Sequence, residues 1–210
     1  MARVDFRLYL VTDRLKTPER GLLDALEASL AAGVPAVQLR EKDLAGRELY
    51  RLALEVRELT SRYGARLLVN DRIDVALAVE ADGAHLPADS FAVAEARRLL
   101  GPDRLIGVST HSAVEAIEAQ AQGADFVLLG PIYDTPSKRP FGPPLGPGVL
   151  RAARAEVAIP IFAIGGITAA NAPEVLAAGG DGVAVISAIL AAPDPAEATR
   201  ALLAVVGGAR

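Results

Sequence analysis

The chain of 210 residues has no cysteine, which excludes disulfide bonds, a thiol nucleophile and thiolate metal sites. Aromatic residues make up only 4% of it, although 51% of its residues are hydrophobic. The core must therefore consist mainly of small and branched aliphatic side chains, which is typical of parallel strands buried on both faces.

Long apolar runs are also missing. No run reaches the length needed to cross a bilayer, and residues 1–6 form no signal-peptide hydrophobic segment. The net charge of −4 provides no basic footprint for nucleic acid. We therefore expect a cytoplasmic protein that binds small molecules and contacts neither nucleic acid nor membrane. A chain of this length is enough for one domain with a real core, over residues 1–210.

Lysine is scarce, because only Lys16, Lys42 and Lys138 occur among the 22 basic residues. Where arginine has replaced lysine almost everywhere, a retained lysine is a candidate for a role that needs a compact point charge. Lys42 and Lys138 lie just beyond predicted strands, so these two are candidate functional residues.

What the chain has in abundance is a repeat of short apolar runs, separated by stretches rich in Ala, Leu, Glu and Arg with helical spacing. Eight such strand–helix units predict an α/β fold, a single (β/α)8 TIM barrel with its active site at the carboxyl ends of the strands. The predicted strands are Leu8–Val11, Ala36–Leu39, Leu67–Val69, Gly83–Leu86, Leu105–Val108, Phe126–Leu129, Ile161–Ile164 and Gly182–Ile186.

The second predicted strand runs into Gln38-Leu39-Arg40-Glu41-Lys42. Alternation places Gln38, Arg40 and Lys42 on one side of an extended chain, facing the barrel mouth. Two cations and an amide there are suited to phosphate or pyrophosphate, and a solvated charged loop is the alternative.

The next three strand ends carry further polar groups. Asn70 and Asp71 can ligate Mg²⁺ or hydrogen-bond a heterocycle, although Asp71 is equally suited to capping the following helix. His85, one of two histidines, can act as an acid or base near neutral pH or can be a packed, hydrogen-bonded core residue. Ser109 and His111 are candidate ligand contacts.

The last strand ends indicate phosphate binding. A long Pro- and Gly-rich loop follows the sixth strand, where Thr135, Ser137 and Lys138 offer hydroxyls and a cation, and a plain surface loop is the alternative. Glycines after the seventh strand and a small polar residue opening the last barrel helix form the common phosphate cradle of these barrels.

On these motifs the chain resembles the thiamine phosphate synthase superfamily along nearly its whole length. The matching segments are residues 38–42 (Gln-Leu-Arg-Glu-Lys), 70–72 (Asn-Asp-Arg), 107–112 (Gly-Val-Ser-Thr-His-Ser), 123–133, 135–138 (Thr-Pro-Ser-Lys), 164–167 (Ile-Gly-Gly-Ile) and 182–187. One branch, the synthases, joins a pyrimidine diphosphate to a thiazole phosphate and releases pyrophosphate with Mg²⁺. The TenI-type branch binds the thiazole phosphate, and some of its members interconvert thiazole carboxylate tautomers.

The resemblance implies roles for individual residues. The cradle for the thiazole phosphate would be Gly165, Gly166, Ile186 and Ser187, and the phosphate-holding loop would be Thr135, Ser137 and Lys138. In a synthase, the groups holding the pyrimidine diphosphate would be Gln38, Arg40, Lys42 and Asn70. Asp71 would then be one of two aspartate ligands of Mg²⁺, and Lys138 would stabilise the departing pyrophosphate.

Two departures bear on the choice of branch. Ser90 stands where synthases carry the second aspartate, and the Leu86–Ser90 pattern resembles the TenI branch. We therefore predict a TenI-type protein without a metal cofactor, which binds thiazole phosphate and interconverts its carboxylate tautomers. The histidine of a tautomerase of this branch is replaced by Pro131, so His85 and His111 are the only histidines left for proton transfer.

Two alternatives remain open at this point. The first is a thiamine phosphate synthase with Mg²⁺ at Asp71, and the second is a regulatory barrel without catalytic activity. The apolar character of the outer helices predicts a homodimer.

Overall fold

The computed structural model describes residues 4–17, 19–136 and 138–208. In them eight parallel strands close into a barrel in chain order, which confirms the predicted (β/α)8 fold. The strands are β1 (Leu8–Val11), β2 (Ala36–Leu39), β3 (Arg66–Asn70), β4 (Gly83–Leu86), β5 (Leu105–Thr110), β6 (Phe126–Leu129), β7 (Ile161–Ile164) and β8 (Gly182–Val185).

The helices surround the barrel, each burying an apolar stripe against the strands. They are α1 (Leu22–Ala31), α2 (Gly46–Arg62), α3 (Ile73–Ala78), α4 (Val93–Leu100), α5 (Ala113–Ala121), α6 (Gly148–Arg154), α7 (Ala172–Ala177), α8 (Ser187–Leu190) and α9 (Pro195–Gly208). Short 3₁₀ helices occur at Arg14–Lys16 and Arg139–Phe141. Within the described ranges, no helix is both long and apolar enough to cross a membrane. Apolar side chains such as Tyr50, Leu54 and Leu99 are exposed on the outer helices, and the homodimer stays a prediction.

Four of the nine phenylalanine and tyrosine residues form a cluster inside the barrel. Phe6, Tyr9, Phe126 and Phe162 pack on one another with ring centroids 5.3 to 6.3 Å apart. Edge-to-face contacts of this kind fill a large volume with few side chains. These rings fill the barrel interior with apolar atoms below the carboxyl ends of the strands.

Three aspartates form hydrogen bonds that join neighbouring strands at the amino-terminal end of the barrel. Asp82, Asp125 and Asp181 each precede an even-numbered strand and accept a backbone N–H from the preceding strand in the ring. The Asp125 carboxylate accepts the Ile106 N–H at 2.7 Å and pairs with the Arg97 guanidinium at 2.6 Å. Because the amino ends of barrel strands serve stability, we assign these aspartates to the fold.

We expect Asp125→Ala to lower the free energy of unfolding by about 2 kcal/mol, since it removes two charge-assisted hydrogen bonds and leaves the N–H of the buried Ile106 unpaired. Urea denaturation measures this loss, and Tm should fall by about 4–8 °C. Asp103→Ala is the control, because Asp103 is exposed at the same end and has no hydrogen bond within the described residues. Equal losses in the two variants would contradict the assignment.

Candidate functional site

Three cations converge at the carboxyl-terminal mouth of the barrel. Arg40 and Lys42 follow β2, whereas Lys138 lies in the loop after β6, on the opposite side of the ring. Burial and then the charges of Arg40 and Lys42 lower the pKa of Lys138. The loop therefore carries Lys138 across the mouth toward the other two cations, and an anion bound there would relieve their repulsion.

Two contacts hold the segment after β2 in place. The Thr12 hydroxyl accepts the Arg40 N–H at 2.8 Å, and the buried Glu41 carboxylate accepts the Arg14 N–H at 3.2 Å. The sequence did not predict that Thr12 and Glu41 anchor this segment, although alternation already puts Glu41 on the opposite side from Arg40 and Lys42. Because Glu41 is held by the Arg14 backbone, Arg40 and Lys42 are the residues of this segment that remain available to a ligand at the mouth.

Gln38 lies deeper than its predicted place at the mouth. Its side chain is inside the barrel, 2% exposed, where the amide nitrogen donates to the Tyr9 hydroxyl at 3.4 Å. From this position Gln38 forms the floor of the mouth.

The loop after β6 is folded onto its surroundings. The Tyr133 hydroxyl donates to the Glu174 carboxylate on α7 at 2.6 Å, and Asp134 forms an ion pair with Arg139. The Thr135 carbonyl accepts the Lys138 N–H at 2.9 Å, which closes a tight turn. Ser137 lies outside the described residues. These contacts hold the loop against α7 and place Lys138 in a turn, and the role of the loop in phosphate binding stays a prediction.

The glycines after β7 are required by close packing. Gly165 and Gly166 have φ angles of 97° and 65°, which L side chains rarely adopt. A Cβ on Gly165 would lie 2.6 Å from the Pro131 Cβ, and one on Gly166 would lie 2.8 Å from the Asp134 carbonyl oxygen. Only glycine therefore lets this turn approach the loop after β6.

The start of α8 lies beside this turn, because β7 and β8 are neighbours in the barrel. Ile186 is partly buried against the core and precedes Ser187, the first residue of α8. Among the described residues, the backbone N–H groups of Gly166 and Ser187 have no hydrogen-bond acceptor. These donors are the kind that bind a phosphate after the last two strands of such barrels.

Gly166→Ala tests the close approach. We expect it to lower the free energy of unfolding by more than the roughly 1–3 kcal/mol that left-handed backbone strain costs, because the new Cβ also meets backbone. Gly64→Ala is the matched control, since Gly64 has φ 67° and nothing within 4 Å of an added Cβ. Thermal denaturation of both variants isolates the clash, and equal destabilisation would show that the packing at Gly166 is unimportant.

A cleft of about 240 Å³ opens beside the mouth between the segments that follow β2, β3 and β4. Its lining includes Lys42, Asn70, Asp71 and Asp89. Asp71 has φ 64°, and its carboxylate accepts the Ser90 hydroxyl at 2.5 Å. Asp71 thus does not cap α3, whose N-cap is Arg72 without a side-chain hydrogen bond.

The donors in this cleft fit Mg²⁺ only with help from a ligand. Within the described ranges no group of three or more His, Cys, Asp and Glu residues is placed to hold a metal. The Asp71 carboxylate, with the Ser90 hydroxyl beside it, supplies a minimal set of oxygen donors. Because Mg²⁺ keeps several waters and commonly binds through one carboxylate plus substrate phosphates, the set fits a magnesium ion shared with a diphosphate.

The two histidines occupy different environments. His85 is 1% exposed, and its Nε2 lies 2.9 Å from the Ser109 hydroxyl oxygen. Burial and then the charge of Arg40 lower the pKa of His85 to about 3, so the ring is neutral at pH 7. His111 is exposed, and its Nδ1 donates to the Gly130 carbonyl at 2.6 Å, which leaves Nε2 toward solvent.

Comparisons with known proteins find similar sequences over most of the chain. The family profile described as Thiamine monophosphate synthase matches residues 8–189. The chain is 57% identical over 206 residues to a Geobacter sulfurreducens protein provisionally named a thiamine-phosphate synthase, covering 98% of the chain and 97% of that relative. It is 49% identical over 203 residues to the thiamine-phosphate synthase of Chloroflexus aurantiacus, covering 97% of the chain and 94% of that relative.

A solved structure is also similar over nearly the whole chain. Thiamine phosphate pyrophosphorylase from Pyrococcus furiosus superposes with a TM-score of 0.87 at 39% identity, covering 96% of this chain and 95% of that one. The preference for a TenI-type protein gains no support from these relatives, whose names favour the synthase alternative.

Proposed function

Because the chain belongs to the thiamine monophosphate synthase family, we propose that it is a thiamine-phosphate synthase. In this proposal it joins a pyrimidine methyl diphosphate to a thiazole phosphate and releases pyrophosphate. The observation that carries the proposal is the convergence of Arg40, Lys42 and Lys138 at a mouth that also holds the glycine turn after β7. One site thus offers cations for a diphosphate and backbone donors for a second phosphate.

The charges support an anionic substrate and an anionic leaving group. The chain carries a net charge of −4, yet three cations surround the mouth. Such a local excess of positive charge attracts polyanions against the overall charge of the protein.

The reaction breaks the bond between the pyrimidine methylene carbon and the diphosphate oxygen, and it forms a bond from the thiazole nitrogen to that carbon. The electron pair of the broken bond leaves with the pyrophosphate. Lys138 and Arg40 would stabilise that developing charge, because both belong to the cation cluster at the mouth. The glycine turn and Ser187 hold the thiazole phosphate, so that the ring nitrogen faces the methylene carbon.

Asp71 and the hydroxyl of Ser90 would hold the Mg²⁺, with Asn70 and Asp89 lining the same cleft. The ion would neutralise charge on the diphosphate when it is bound. Ser90 was the reason to prefer the TenI-type branch, but its hydrogen bond to Asp71 keeps an oxygen donor at the second position. A serine there is thus compatible with the synthase reading.

The test is to incubate the purified protein with the pyrimidine diphosphate, the thiazole phosphate and Mg²⁺, and to measure thiamine phosphate formation. Turnover that requires all three components is the expected result. Thiazole phosphate binding without turnover, together with activity in a carboxylate tautomer assay, would favour the TenI-type function instead. Binding with neither activity would favour a regulatory barrel.

A further inference from the structure

The His85 ring is buried inside the barrel and has one hydrogen-bond contact among the residues that the structure describes. Its ring packs near Tyr9 and Phe126, with centroid distances of 6.0 and 5.9 Å. Nε2 reaches the Ser109 hydroxyl, while Nδ1 is buried and has no hydrogen-bond partner among the described residues. A Cβ on Gly107 would lie 2.5 Å from Nδ1, so the Gly107 backbone packs closely against that side of the ring.

These contacts select one tautomer of the ring. A proton on Nδ1 would be a buried N–H donor without an acceptor, which is more costly than a buried lone pair without a donor. The proton therefore resides on Nε2, which makes His85 the donor and the Ser109 oxygen the acceptor.

The direction of this hydrogen bond decides what Ser109 can do. Ser109 lies at the carboxyl end of β5, half-buried, and within the described part of the chain its hydroxyl contacts only His85. If the Ser109 hydroxyl donated its proton to His85, only the lone pairs of its oxygen would be available to a ligand at the mouth. Phosphate oxygens are acceptors, so a ligand phosphate needs the opposite arrangement.

We propose that His85 is a positioning residue, whose Nε2–H donates to the Ser109 oxygen and so turns the Ser109 proton toward a phosphate oxygen bound at the mouth. This inference rests on the proposed function, because it requires a phosphate ligand there. His85 itself touches no ligand and moves no proton during the reaction. Its candidate role as an acid or base is thereby replaced by one that acts through Ser109.

The first test is the tautomeric state of the two histidines in the intact protein, measured by ¹⁵N NMR after ¹⁵N-histidine labelling. We expect His85 as the Nε2–H tautomer, with ring shifts that do not change between pH 5.5 and 8. His111 should show the opposite Nδ1–H form when neutral, because its Nδ1 donates to a carbonyl. The His111→Asn variant assigns the two spectra. An Nδ1–H ring at His85, or titration of His85 in that range, would overturn the proposal.

The second test measures binding of inorganic pyrophosphate in the presence of Mg²⁺ by calorimetry. We expect Ser109→Ala and His85→Phe each to weaken binding by about ten- to a hundredfold, and the double variant to bind no more weakly than either single one. His85→Gln should recover part of the affinity, since its amide can donate to Ser109. Ser61→Ala at the far end of the barrel is the control and should bind like the unchanged protein.

The outcomes separate this inference from the proposed function. If the unchanged protein binds pyrophosphate and the losses in the two single variants simply add, the positioning role is overturned while the synthase proposal stands. If the unchanged protein does not bind pyrophosphate at all, both are overturned.

Discussion

Replacing Lys138 with methionine is expected to lower kcat/KM for thiamine phosphate formation by about 100- to 1000-fold. Methionine keeps the length and apolar stem of the side chain but removes the charge that faces Arg40 and Lys42 across the mouth. In the proposed reaction negative charge grows on the departing pyrophosphate, so the loss should appear in kcat as well as in KM. Steady-state rates with each substrate varied in turn measure both.

The scarcity of lysine provides a matched control. Lys16 is exposed on the 3₁₀ helix Arg14–Lys16, and it is the one lysine that the site does not include. Lys16→Met removes the same charge from the chain and should leave kcat/KM within about twofold, because the Lys16 side chain is exposed, its charge is screened by solvent, and the cations that act on Lys138 are Arg40 and Lys42. Equal losses in the two variants would show that net charge, and not the charge at the mouth, matters.

The strands could be predicted from the sequence because each is a short apolar run followed by polar or glycine residues. The differences are at the ends: β3 extends from Arg66 to Asn70, β5 extends to Thr110, and β8 ends at Val185. Arg66 and Thr110 are polar, so hydropathy excluded them, and it is pairing with the neighbouring strands that includes them. Backbone hydrogen bonding, which side-chain polarity does not report, therefore sets the ends of these strands.

The position of the site could be predicted because the carboxyl ends of all eight strands meet at one end of the barrel. Arg40, Lys42 and Lys138 follow strands on opposite sides of the ring, yet barrel closure brings them to the same mouth. Depth was harder to predict. Gln38 and His85 lie on interior faces below the mouth, and only the packing of the aromatic side chains beneath them shows how deep each one is.

Local hydrogen bonding after β3 and β4 could not be read from the sequence. Asp71 and Ser90 are both residue types that commonly cap helices. Their side chains instead form a hydrogen bond with each other, and the N-cap of α4 is Ala92. A cap is a contact within one segment, whereas this pair joins two loops whose approach depends on the barrel. In contrast, Ser112 does cap α5, and the Glu115 side chain accepts the N–H of His111.

The Asp71–Ser90 pair carries the remaining large effect. We expect Asp71→Asn to lower kcat/KM by about 100-fold at a fixed Mg²⁺ concentration, because an amide oxygen is a far weaker ligand for Mg²⁺ than a carboxylate. The change should leave the fold intact, since Asn tolerates the left-handed backbone that Asp71 adopts at φ 64°. Rates measured over a range of Mg²⁺ concentrations should show a higher requirement for the ion.

The reverse substitution completes this test. Ser90→Asp places a second carboxylate against Asp71, where two negative charges repel each other in the free protein but bind a divalent cation jointly. It should therefore lower the Mg²⁺ concentration needed for half-maximal activity and reduce stability without Mg²⁺. Asp74→Asn is the control, since that exposed carboxylate pairs with Arg72 and is absent from the cleft lining. If neither Asp71→Asn nor Ser90→Asp alters the Mg²⁺ requirement, the metal does not bind between these two loops.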